Sequence, residues 1–221
     1  MSWLDVKKVD PQPVLRLLFF PLALLYYEAV LAIFTGTALW HKWGYVVAFS
    51  VAIGLVFHLV ASAPSTAKWS KRVGVLLLVI PALWFITEAL IWQSFRVFMS
   101  PFFMGENAEG VAGSYALRIG RIVLSGLPLF AVYALPSIAY LLLHKRVPYV
   151  RLHIGRALVV VLAIALTQGG ALAVIRLDNR ALVPDATYYG SGFLFDAAVP
   201  RFGLLSATRL DVMYALFGAP T

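Results

Sequence analysis

The 221-residue chain contains no cysteine and only 10 acidic residues. The first absence excludes disulfides, thiolate metal sites and cysteine nucleophiles. Charged side chains of both signs make up 13% of the chain, against about 25% in a soluble domain. GxGxxG, Walker-type, HExxH and GxSxG patterns are also missing, so motifs assemble no active site of the soluble kind. No internal repeat or low-complexity tract is present. The formal net charge of +8 raises nucleic acid as a partner, but no nucleic-acid-binding signature accompanies it. The basic residues sit between apolar runs, where topology and anionic lipid head groups explain them, and no nucleic-acid partner is expected.

What is abundant is apolar length. Hydrophobic residues reach 62% of the chain, above the roughly 45–50% of soluble domains. They gather in five stretches, Val14–Thr35, Trp43–Ala61, Val73–Phe95, Ile122–Leu143 and Ala157–Ile175. A hydrocarbon core about 30 Å thick needs about 20 apolar helical residues to cross it. Backbone groups in lipid must pair within their own segment, so each stretch is expected to be a helix. The expected class is all-α: a polytopic membrane protein with a five-span domain over residues 1–175. Residues 176–221 are expected to form an extracytoplasmic juxtamembrane linker.

The loops set the orientation. Lys7, Lys8, Lys68, Lys71, Arg72, Lys145, Arg146 and Arg151 lie on one side, and Lys42, Arg96, Arg118 and Arg121 on the other. That asymmetry predicts a cytoplasmic N-terminus and an external C-terminus. The first stretch is too long for a signal peptide and has no clear small-x-small cleavage site, so it reads as an uncleaved helix. Pro21, Pro81, Pro128 and Pro136 fall inside spans and are expected to kink them. The aromatic, glycine-punctuated loop Arg96–Leu117 is expected in the membrane interface. Gly203–Phe217 reads as a short interfacial helix, with Gly218 and Pro220 as its stop.

Two carboxylates lie within spans, Glu28 and Glu88. A charge at bilayer depth costs about 2.5–3.5 kcal/mol on insertion scales, so such residues face the bundle or a wet cavity. At about 1.5 Å rise per residue, Glu28 lies about 21 Å beyond Val14 and Glu88 about 22 Å beyond Val73. Both belong to the outer half, near the boundary where Arg96, Arg118, Arg121, Arg176 and Arg180 gather. One reading makes Glu28, Glu88, Arg96, Arg118 and Arg121 a head-group pocket, because guanidinium groups bind phosphate bidentately. The other makes the carboxylates structural, paired with arginines to staple helices. No metal site is expected. His58 lies away from this layer and reads as a core or interfacial histidine; His41, His144 and His153 lack ligand spacing.

The order of elements resembles a known family. Pro21-Leu22-Ala23-Leu24-Leu25-Tyr26-Tyr27-Glu28, leading to Ile33-Phe34-Thr35-Gly36, resembles the first span of lipoteichoic acid synthase-type proteins. Phe202-Gly203-Leu204-Leu205-Ser206-Ala207-Thr208-Arg209-Leu210-Asp211, closing at Phe217-Gly218, resembles the segment joining that family's membrane domain to its extracellular domain. Arg96-Val97-Phe98 and the glycine-rich stretch after it are similar in kind to the loop between the third and fourth spans. The resemblance implies a bacterial envelope protein of the plasma membrane. It also implies a sulfatase-like extracellular domain that moves glycerol phosphate from phosphatidylglycerol, using a threonine nucleophile and usually manganese. The chain ends where that domain would begin, so no catalytic residue or cofactor is expected in it. The expected role is membrane anchoring and lipid engagement, with phosphatidylglycerol and a separate catalytic domain as partners. The alternatives are a small lipid flippase or transporter, and a membrane adaptor that recruits an enzyme.

Overall fold

A computed structural model of the chain describes residues 11–36, 42–100, 124, 126–146, 153–177, 183–190 and 194–218. Five long apolar helices cross the molecule: α1 (Pro11–Thr35), α2 (Trp43–Ser62), α3 (Ala67–Phe95), α4 (Leu127–Arg146) and α5 (Ile154–Leu177). Three short helices follow, α6 (Asp185–Gly190), α7 (Phe195–Phe202) and α8 (Leu204–Phe217). There is no strand among the described residues. Five helices of spanning length and hydropathy make this an all-α polytopic membrane protein.

Helix ends run past the apolar stretches where polar residues favour helix. α3 begins at Ala67 rather than Val73, because Thr66 caps it by accepting the Trp69 N–H at 3.4 Å. Lys68, Lys71 and Arg72 thus ride on the first turns of α3, where long side chains reach the head-group layer. Pro21, Pro81 and Pro136 lie within helices as expected. Pro128 does not kink a span. It occupies the first turn of α4, where the missing N–H has no intrahelical partner to lose.

α2 lies at the centre, packed against α1, α3 and α5. α4 packs on α3 and touches the edge of α1, whereas α5 packs chiefly on α2 among the described residues. α5 accordingly turns Leu158, Val159, Leu162 and Leu166 outward, as a helix bathed in lipid does. Small residues permit the closest approaches. A Cβ on Gly54 of α2 would stand 2.4 Å from the Pro21 nitrogen of α1, and one on Gly74 would stand 2.1 Å from the Tyr140 hydroxyl of α4. Between α1, α3 and α4 lies an aromatic core of Tyr27, Phe85 and Tyr133, with ring centroids 5.6–5.9 Å apart. The Tyr27 hydroxyl donates to the Leu78 carbonyl at 3.3 Å, so its polar tip is paired inside the bundle.

Candidate functional site: the carboxylate layer and the inserted C-terminal hairpin

α1, α3 and α5 all finish at the same end of the bundle, the end that the loop charges are expected to turn outward. There α7 and α8 form a helical hairpin whose tip, Gly203, enters the bundle. Phe202 and Leu204 on either side of the tip are 1% and 0% exposed. α8 forms where a short C-terminal helix is expected, but its first two turns are buried among the spans rather than lying on them. Ser206, Ala207, Leu210 and Asp211 are buried, while Met213, Leu216 and Phe217 near the far end are exposed. With no solvated backbone allowed at membrane depth, the non-helical tip needs acceptors from the protein itself.

Glu28 supplies them. Its carboxylate accepts the Leu204 N–H and the Leu205 N–H, each at 3.0 Å. These are the first amides of α8, which no residue within that helix can satisfy. A carboxylate at the positive end of a helix is favourable, so Glu28 acts as an N-cap donated by another helix. Gly203 makes this possible twice over. Its φ of 85° and ψ of 160° are open to glycine almost alone, and a Cβ there would stand 2.8 Å from Glu28 Oε1.

Glu88 has a similar role in the neighbouring layer. Arg96 ends α3 in the left-handed conformation, with φ 60°, and turns the chain back along the helix. The Met99 N–H then donates to Glu88 Oε2 at 3.2 Å. Asp196 of α7 accepts the Phe98 N–H at 2.7 Å, and Asp211 of α8 accepts the Ser100 hydroxyl at 2.5 Å. Trp92 stacks on Phe98 with centroids 4.7 Å apart. The turn after α3 is therefore bound both to its own helix and to the hairpin.

Further ties hold α8 along its length. Trp84 Nε1 donates to Thr208 Oγ1 at 2.9 Å. Arg209 donates to the Tyr189 hydroxyl and lies over the Phe49 ring, 5.5 Å from its centroid. The Gln168 amide, with its oxygen turned to Arg209, accepts from the same guanidinium. Tyr214 donates to the Tyr189 carbonyl. One small helix is thus connected to α1, α2, α3, α5 and α6.

Of the five expected head-group residues, Glu28, Glu88 and Arg96 are among the described residues. Among the described residues, both oxygens of Glu28 and Oε2 of Glu88 accept from backbone amides. Arg96 is exposed at the end of α3 and, among the described residues, forms no ion pair with either carboxylate. Arg118, Arg121 and Arg180 lie outside the described residues, and so does the loop beyond Ser100; Arg176 is exposed on the last turn of α5. His58 lies at the opposite end, lining a small cavity of about 30 Å³ with Arg16, Tyr140 and His144.

Sequence reasoning missed Gly203, Asp185, Asp196 and Asp211 as partners. Asp185 is buried and binds Lys42 Nζ at 2.6 Å, with Arg201 Nε at 3.8 Å. An aspartate in the first turn of α6 and another in that of α7 are visible as helix-start signals, but their long-range partners are not. Among the described residues no three His, Asp or Glu side chains converge as a metal site requires. No family model, curated protein or solved structure matches the chain.

Proposed function

We propose that this chain is the membrane-anchoring and lipid-engaging domain of a lipoteichoic acid synthase-like phosphoglycerol transferase in the bacterial plasma membrane, with its N-terminus in the cytoplasm. The observation that carries the reading is the mooring of the block Phe202–Asp211. This is the segment whose sequence resembles the family's join to an extracellular catalytic domain. A tether that only prevented diffusion could be loose. Here the block is bound through Glu28 to Leu204 and Leu205, through Trp84 to Thr208, and through Asp211 to Ser100. Rigid mooring fixes the height and direction of α8 relative to the spans. That is what an enzyme acting on a lipid head group needs from its anchor, since orientation contributes strongly to rate. The exposed arginine Arg96 offers phosphate donors at the end of α3.

A chimera tests the reading. A catalytic domain of the family, fused after Phe217, is expressed in a bacterium lacking its own synthase. The expected result is glycerol phosphate polymer in excess of that made by the same catalytic domain on an unrelated single-span anchor. Equal polymer from both fusions, at equal membrane levels, would reject a role beyond tethering.

A further inference from the structure

The end of the bundle opposite the hairpin carries charge of one sign. All five described carboxylates, Glu28, Glu88, Asp185, Asp196 and Asp211, belong to the hairpin half. Among the described residues the opposite end has none, whereas Lys68, Lys71 and Arg72 stand in the first two turns of α3 and Lys145 in the last turn of α4. None of these four cations forms an ion pair among the described residues. Their placement is unfavourable on its own. The start of a helix is its positive end, where acidic residues are preferred, and the first turn of α3 has none. Lys68 also neighbours Lys71 and Arg72, three and four residues on, and like charges at that spacing repel. An anion among them would relieve both costs.

Packing holds the cluster in place. Ser70 lies on the inward side of the same turn and is buried. Its Oγ donates to the Ala61 carbonyl at 2.7 Å, and the Tyr140 hydroxyl of α4 donates to the Ser70 carbonyl at 3.4 Å. His144 Nε2, on the residue before Lys145, lies 3.3 Å from the Ala67 carbonyl oxygen. The start of α3 and the end of α4 are thus fixed side by side, with Lys68, Arg72 and Lys145 exposed. Their height is that of lipid head groups. The apolar stretch of α3 begins at Val73, so Ala67–Arg72 extends about 9 Å beyond it at about 1.5 Å per residue. Trp69 is 57% exposed, with the Arg72 guanidinium over its ring at 5.1 Å, which suits an aromatic anchor in the interface.

We infer that the adjoining turns of α3 and α4 bind the head group of an anionic phospholipid, its phosphate lying among Lys68, Lys71, Arg72 and Lys145. Basic clusters beside spanning helices attract anionic lipids, and the bonds through Ser70 and His144 make this cluster a fixed site. The inference goes beyond the anchoring reading. It concerns the leaflet away from Arg96, cytoplasmic in the orientation proposed above, and does not depend on a catalytic domain.

The full chain is purified in neutral detergent and titrated with phosphatidylglycerol, phosphatidylcholine or soluble glycerol phosphate, with bound lipid counted by native mass spectrometry. Wild type is expected to retain phosphatidylglycerol over phosphatidylcholine and to ignore glycerol phosphate. The triple variant Lys68→Gln/Lys71→Gln/Arg72→Gln should cut that preference at least tenfold, since each basic residue near the surface is worth about 1 kcal/mol, or about fivefold. Lys145→Gln alone should cut it about fivefold and repeats the test from α4. Both losses should persist in an Arg96→Gln background, which removes the donor at the hairpin end. In lipid-free detergent the triple variant should melt no lower than wild type, because repulsion is relieved; a lower melting temperature would mark the cations as structural and reject the site. Full discrimination in the triple and Lys145 variants, or a preference that Arg96→Gln alone abolishes, would overturn the inference and leave lipid engagement at the hairpin end standing. Absence of discrimination in wild type would remove both. Glycerol phosphate that competes as well as the intact lipid would show a free-phosphate site and also overturn the inference.

Discussion

Glu28 and Leu204, 176 residues apart in sequence, meet at 3.0 Å inside the bundle, carboxylate oxygen to backbone amide. The contact joins the first span to the start of the last helix. It also explains how a break in helical structure is tolerated among spans, since the carboxylate replaces the acceptors that the break removes.

The cap has a measurable worth. Glu28→Ala leaves the Leu204 and Leu205 amides buried without their partner, at about 1–3 kcal/mol for each orphaned group. Glu28→Gln keeps one acceptor and turns an NH2 toward the other amide, so a smaller loss is expected. Melting temperature and hydrogen exchange at Leu204 and Leu205 report both, with Arg96→Gln as a control expected to change neither. Wild-type protection of those amides in Glu28→Ala would remove the cap from the account.

Gly203→Ala and Gly218→Ala form a matched pair. Both glycines have positive φ, 85° and 82°, so alanine meets backbone strain of about 1–3 kcal/mol at each. Only at Gly203 does the added Cβ also collide, 2.8 Å from the Glu28 carboxylate; at Gly218 it meets nothing within 4 Å. Gly203→Ala should therefore lower the melting temperature more. Equal losses would mean that the hairpin tip does not sit against Glu28.

Helix approach at Gly54 and Gly74 separates two kinds of crowding. At Gly54 the obstacle is the Pro21 backbone, which cannot rotate away, so Gly54→Ala should force α1 and α2 apart. At Gly74 it is the end of the Tyr140 side chain, which can swing aside at the loss of its hydrogen bond to the Ser70 carbonyl. Overpacking costs about 1–3 kcal/mol, and Gly54→Ala is expected to be the more damaging of the two. Thermal unfolding in one detergent ranks them, and the reverse order would contradict the packing described for α1 and α2.

Orientation is open to chemical labelling. With a cytoplasmic N-terminus, Ser65 between α2 and α3 faces the cytoplasm and position 191 the exterior. The chain has no native cysteine, so Ser65→Cys and Ser191→Cys each introduce a single thiol. An impermeant reagent on intact cells is expected to label the second variant and spare the first. The opposite pattern would invert the topology.

Class and spans were legible in the residues alone. Apolar length is a local quantity, and lipid thickness converts it directly into a helix, so the stretch Val14–Thr35 falls within α1 (Pro11–Thr35). Depth is local too, which is why counting along the helices placed Glu28 and Glu88 at similar height. What those carboxylates bind emerged only from the folded arrangement. Their partners among the described residues are backbone amides of Leu204, Leu205 and Met99, and an amide carries no sequence signature. The same holds for the open space of about 450 Å³ between α2 and α5. Gly44 and Gly170 are unremarkable helix residues until α2 and α5 are set side by side with Lys42 at the rim. Non-local packing chose which small residues close a gap between helices, as at Gly54, and which leave one open.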